Sequence, residues 1–178
     1  MKNYRITKYN PEYRNEKGYY TGNDWTSLSD IGNTYLEKTF TIGEYIEIEK
    51  AYCDVIAKIL FNNHIDNFNV IEIEKYNSLW KVKRLLRRYE IYLSEEECSI
   101  IKKIENNTAI NCKDAITCIK LMLRGCFWAM LESPEPVMRL SVGQDYYVYM
   151  SCKEIPPYII NISAINGIYI EEIVNFPW

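Results

Sequence analysis

The clearest pattern in the chain is helical. Ile42, Tyr45, Ile46, Tyr52, Val55, Ile56, Ile59 and Leu60 recur at three- and four-residue spacing, behind a Thr41-Ile42-Gly43-Glu44 capping box, and predict a helix over residues 42–62. Before it, residues 3–9 alternate and predict a first strand, which Asn10-Pro11 breaks. Residues 68–76 alternate around Val70 to Glu74 and predict another strand. Leu79, Val82, Leu86 and Tyr89 line one face of a short helix. Ser94 with Glu97 forms a second capping box, opening a helix to about Asn106. A longer apolar pattern through Ile116, Ile119, Leu123, Phe127 and Met130 predicts a helix from Lys113 to Leu131, stopped by Ser133-Pro134-Glu135-Pro136. Val137–Val142 and Asp145–Cys152 flank Gly143-Gln144 and predict a β-hairpin. Two apolar runs follow Pro156-Pro157, at 159–162 and 168–174, and the second is expected to be a strand. This order, without strict βα alternation, predicts one α+β domain over residues 1–178, with an antiparallel β-sheet and helices packed mainly on one face.

Residues 10–33 hold no such periodicity. They are rich in Asn, Gly, Asp and Ser and form a loop longer than ordinary connections, either functional or packed by its own aromatics, with Trp25 as anchor. Asp30 and Ser27 are suited to hold that loop by accepting from backbone amides.

Composition changes the picture in three places. The chain carries 21 basic and 24 acidic residues, net charge −3, which argues against general nucleic-acid affinity. The charge is uneven: residues 41–75 hold the acids Glu44, Glu47, Glu49, Asp54, Asp66, Glu72 and Glu74 against three bases, whereas residues 76–103 are basic, with a stripe of Lys81, Arg84 and Arg88 beside Trp80. The six cysteines show no CxxC spacing and most lie in apolar-periodic stretches, as expected of reduced thiols in a cytoplasmic protein with no metal or cofactor. No apolar run approaches the length of a membrane-spanning helix, so no membrane partner is expected.

Candidate chemistry is sparse. His64 is the one histidine and sits in a post-helix turn beside Asp66. Gly125-Cys126-Phe127-Trp128 resembles the active-site motif of peptide methionine sulfoxide reductase A. In that family the motif lies near the start and follows a strand; here it lies late, within a predicted helix, and core packing is the simpler reading. No P-loop, GxGxxG, HExxH or GxSxG occurs, and no catalytic residue is assigned.

One resemblance spans much of the chain. Tyr4-Arg5-Ile6-Thr7-Lys8-Tyr9-Asn10-Pro11, Gly18-Tyr19-Tyr20 and Trp25-Thr26-Ser27-Leu28-Ser29-Asp30-Ile31-Gly32 resemble a family of small bacterial proteins associated with immunity to contact-dependent growth-inhibition toxins. Leu123-Arg124 to Trp128, Leu131-Glu132 and Gly143-Gln144-Asp145-Tyr146-Tyr147-Val148-Tyr149 fit the same pattern. The resemblance implies a non-enzymatic protein that binds a cognate toxin domain, often a basic nuclease, and occludes its active site. On that expectation the contact falls on the acidic helix face, Glu44, Glu47 and Asp54, and on the loop through Trp25 and Asp30. The alternatives are an enzyme with residues 10–33 as its lid, acting on a small molecule or RNA, and a nucleic-acid-binding regulator using the basic helix.

Overall fold

The computed structural model describes residues 1–135 and 137–174. Pro136, part of the predicted stop, lies outside them. In chain order the elements are β1 (Lys2–Thr7), β2 (Thr34–Tyr35), β3 (Lys38–Thr39), α1 (Ile42–Asn62), β4 (Asn67–Glu74), α2 (Leu79–Leu86), α3 (Glu95–Lys103), β5 (Ala109–Asn111), α4 (Cys112–Leu123), β6 (Trp128–Glu132), β7 (Arg139–Val142), β8 (Val148–Cys152), α5 (Pro157–Ile165) and β9 (Tyr169–Ile173). Seven strands form one antiparallel sheet in the order β5-β4-β6-β7-β8-β1-β9, and β2 and β3 form a separate two-residue ladder. The fold is α+β.

Strand alternation sorts the sheet into two faces. Tyr4 and Ile6, Val148, Met150 and Cys152, Leu140 and Val142, and Ala129 and Leu131 point into one core with the helices. The opposite face carries the cross-strand row Glu171, Arg5, Tyr149, Ser141, Met130 and Glu72. α4 packs across β4 to β7 and against α1, which in turn packs on α5 over β9.

The long helix begins and ends as its sequence predicts. The Thr41 hydroxyl accepts from the Glu44 amide and the Glu44 carboxylate accepts from the Thr41 amide at 2.9 Å. The Ser94–Glu97 box closes in the same way. The predicted hairpin pairs Arg139 with Ser151 through Val142 with Val148. Its link is longer than predicted, because Asp145 and Tyr146 both adopt left-handed backbone and the second strand starts at Val148 rather than at 145.

One expectation is corrected. The helix predicted over 113–131 ends at Leu123, and residues 128–132 form a central strand, β6. Gly125, at φ +68°, takes the left-handed position after the helix. Its amide donates to the Met122 carbonyl and that of Cys126 to the Leu121 carbonyl, the paired bonds of a Schellman stop. Ala129 and Leu131 then alternate inward, although Trp-Ala-Met-Leu-Glu has no strong strand propensity. Sheet pairing on both sides outweighs that local preference.

Candidate functional site: an aromatic and acidic cleft

The loop at 10–33 is organised by its own side chains. Asn10 caps a 3-10 turn at Pro11–Tyr13 by accepting from the Glu12 amide. Asn15 accepts from the amides of Lys17 and Tyr19, and Arg14 and Tyr20 close a bridge around that turn. The Trp25 amide donates to Asp24 at 2.7 Å and its carbonyl accepts from the Tyr9 hydroxyl at 3.0 Å. The indole stacks on Phe40 at 4.3 Å and meets Tyr45 and the edge of Tyr146. Tyr52 ties this aromatic group to the sheet, donating to the Tyr146 carbonyl and accepting from the Lys8 amide, both at 2.7 Å.

Lys8 lies behind Trp25. Its ammonium is almost fully buried, 4.1 Å from the centre of the Tyr9 ring and 4.0 Å from that of Trp25, with one counter-ion, Asp24, at 2.8 Å. Burial lowers its pKa to about 8, against the pull of Asp24.

In front of Trp25 is an open cleft of about 670 Å³. Tyr13, Tyr20, Trp25, Tyr35 and Phe40 supply aromatic walls, and Asp24, Glu44, Glu47 and Lys38 its charged groups. One lip is the β2–β3 hairpin, whose two central residues, Leu36 and Glu37, are both left-handed (φ 47° and 65°). That geometry favours Asn-Gly, and Leu in it costs about 1–2 kcal/mol. The Leu36 side chain is 83% exposed, so no core packing offsets the strain.

The five residues singled out from the sequence separate here. Trp25, Glu44 and Glu47 line the cleft together. Trp25 is only 7% exposed and presents its surface as a wall rather than as a projecting side chain. Glu44 is half-buried; the Lys38 ammonium and the Thr41 amide hold its carboxyl below the ordinary range. Glu47 is exposed. Asp54 lies seven residues further along α1, about 10 Å away, exposed and paired with Lys50 at 2.5 Å. Asp30 does not line the cleft; its carboxylate accepts from the amides of Thr26 and Ser27 and holds the loop, as its sequence position suggests.

The acidic segment carries less surface charge than its composition implies. Glu49 is 2% exposed and forms a bidentate pair with Arg124, both bonds 2.7 Å, while the other Arg124 amino group reaches Glu97 at 3.1 Å. Lys120 adds a 2.9 Å contact to Glu97. This cluster pins α1, α3 and the end of α4.

Sequence reasoning missed Lys8, Asp24, Lys38 and Leu36. Asp24 beside Trp25 was the readable signal; Leu36-Glu37 gives none, because neither residue marks a turn. Of the other candidates, Cys126 is 2% exposed and burial pushes its thiol up to about 12, against the thiolate a nucleophile needs. Phe127 is buried and Trp128 half-buried. His64 is exposed in a left-handed turn. On α2 the Arg84 guanidinium lies 4.8 Å over an exposed Trp80. Among the described residues no group of His, Cys, Asp and Glu could hold a metal ion, and no helix is long and apolar enough to cross a membrane. No family model, curated protein or solved structure matches this chain.

Proposed function

We propose that this chain is a cytoplasmic, non-enzymatic immunity protein that neutralises a cognate toxin domain by covering its active site, with the Trp25–Glu44–Glu47 cleft as the centre of contact. The observation that carries the reading is the cleft itself. Rigid aromatic walls give contact area at low entropy cost, Glu47 offers an exposed carboxylate at the rim, and Leu36 is held outward in a costly backbone conformation that the fold does not use for packing. A basic nuclease domain complements such a surface, and its active site is the part that must be covered.

The test first asks whether the neighbouring reading frame encodes a toxin domain, and then uses that domain. Co-expression should restore growth, and purified proteins should associate. Glu47→Lys should slow association several-fold at low salt and much less at high salt, because a rim charge acts mainly on the encounter rate. Leu36→Asp should speed dissociation instead. Absence of binding to the neighbouring toxin domain, in folded protein, overturns the reading.

A second reading rests on the cleft's volume, which falls in the range of small-molecule sites, about 300–1,000 Å³, and on its polar groups Asp24, Lys38, Glu44 and the tyrosines. It describes an enzyme or sensor acting on a small molecule. A metabolite that raises the melting temperature of the wild type and not of Trp25→Ala would favour it over the immunity reading.

A further inference from the structure

One helix outside the cleft carries charge of a single sign. Residues 75–89 hold the bases Lys75, Lys81, Lys83, Arg84, Arg87 and Arg88 and no acid. All but Lys75 fall on α2 and on the 3-10 turn Arg87–Tyr89 that continues it. Val82 and Leu86 recur on one side of this helix and are buried in the core, with Leu79 packed beside them. At 3.6 residues per turn, Lys81, Arg84, Arg87 and Arg88 then share an outer arc of about 120° with Trp80. All five are exposed, Trp80 at 67%. The Arg84 guanidinium lies over the indole, 4.8 Å from its centre, and holds it in place.

A merely solvated face mixes both signs. α1 does so, with Glu44, Glu47, Lys50 and Asp54, and so does α3, with Glu95, Glu96, Lys102 and Lys103. Bases elsewhere in the fold are matched by acids: Arg5 and Arg14 by Glu171, Lys8 by Asp24, Arg124 by Glu49 and Glu97, and Arg139 by Glu132. Among the described residues none of Lys81, Lys83, Arg84, Arg87 and Arg88 forms an ion pair. At three- and four-residue spacing these bases repel one another, and a ligand bearing several negative charges relieves that repulsion.

We infer that this face binds single-stranded nucleic acid, with the bases of α2 on successive phosphates and Trp80 stacked on a nucleobase. Spacing, burial and the indole together select this occupant. Lys81, Arg84 and Arg88 advance along the helix in steps of about 4.5 and about 6 Å, a charge density that a sugar–phosphate backbone meets along its whole length. An anionic membrane takes up a helix through its apolar side, and here that side is in the core. An acidic protein segment matches the charge and leaves the indole without a stacking partner. A duplex hides the faces of its bases, whereas every base of a single strand offers one. The net charge of −3 does not prevent such contact, because distant acids are screened beyond about 8 Å at physiological salt. No residue lining the cleft belongs to α2, so this site and the toxin reading stand or fall separately.

The test is fluorescence anisotropy of labelled oligo(dT) and oligo(rU), each of about ten nucleotides, with the full chain between about 50 and about 200 mM salt. Four phosphate contacts give a slope of log affinity against log salt near about −3, or about 50-fold weaker binding across that range. Lys81→Gln and Arg88→Gln should each flatten the slope by about 0.7. Trp80→Ala should weaken binding at least about fivefold and leave the slope unchanged. These positions are exposed, so melting temperatures should not move. Tighter binding of one oligonucleotide identifies the sugar. No binding at the lowest salt by the folded chain overturns the inference. So does an affinity that Trp80→Ala leaves unchanged, or a duplex of the same length, polyglutamate or phosphatidylserine vesicles bound as tightly as the single strands.

Discussion

Arg124 and Lys8 are both cations removed from water, and the fold treats them differently. Arg124 has two carboxylates, Glu49 bidentate and Glu97 on its other amino group, and that surround keeps its guanidinium charged despite burial. Lys8 has one carboxylate, Asp24, and two aromatic faces, and its pKa falls to about 8. A guanidinium cannot shed its proton in a protein, so a buried one must be fully matched. An ammonium can. With a pKa about 8, releasing the Lys8 proton at pH 7 costs about 1.4 kcal/mol, which caps the penalty for leaving it poorly paired. The Arg124 site is therefore a structural pin, whereas the Lys8 site is a tolerated load behind the cleft wall.

The largest effect expected is at the pin. Arg124→Met leaves Glu49 buried without its partner and should destabilise the fold by about 3–5 kcal/mol, measured by denaturant unfolding. Replacing Glu49 by Met in the same chain should recover most of that loss. A cost for Arg124→Met below about 1 kcal/mol would show that solvent reaches the pair and would erase the contrast.

Asp24→Asn removes the one counter-ion of Lys8. The cost through Lys8 should stay near about 1.4 kcal/mol, because the ammonium neutralises instead. A loss as large as that of Arg124→Met would mean that Lys8 does not shed its proton and that its buried charge depends on Asp24 as fully as Arg124 depends on Glu49.

Lys8→Met keeps the aliphatic stem between Tyr9 and Trp25 and removes the buried charge. Asp24, half-buried and bonded to the Trp25 amide, keeps solvent contact and stays satisfied. The variant should be neutral or more stable by about 1 kcal/mol at pH 7.

The smallest effect is a pH dependence, read as the difference between wild type and Lys8→Met. Lys8 has a folded pKa of about 8 against 10.5 for the free side chain. Below about pH 8 both states hold the proton and the burial cost is complete. Between about 8 and 10.5 the unfolded chain binds more protons than the native one, so the contribution of Lys8 to stability rises with pH. The advantage of Lys8→Met should shrink across that window. The buried thiols of Cys53, Cys118, Cys126 and Cys152, raised from 9 to about 12, act in the opposite sense, lowering stability above about pH 9. Both proteins share them, so the difference isolates Lys8. An advantage that widens with pH would contradict the direction given for Lys8.

The sequence by itself determined what is decided within a few residues. Thr41 with Glu44 and Ser94 with Glu97 specify helix starts because cap and amide lie in one turn. The alternation on either side of Gly143-Gln144 specifies a hairpin, because the pairing strands are close in the chain. Together these gave the α+β class; Trp25, Glu44 and Glu47, which line the cleft, were singled out instead from the long loop and the acidic helix face. Tertiary structure decided the rest. Apolar periodicity cannot separate a helix from a buried strand over Cys126–Leu131; pairing with β4 and β7 does. Composition counts Glu49 in the acidic segment without saying which way it faces, and its burial depends on Arg124, 75 residues later. Leu36 and Glu37 enter a left-handed turn that their own preferences oppose, and the fixed positions of Asn33 and Phe40, joined by a backbone bond of 2.8 Å, impose it. Each of these outcomes is set by free energy gained with distant partners, and such energy leaves no periodic trace in the chain.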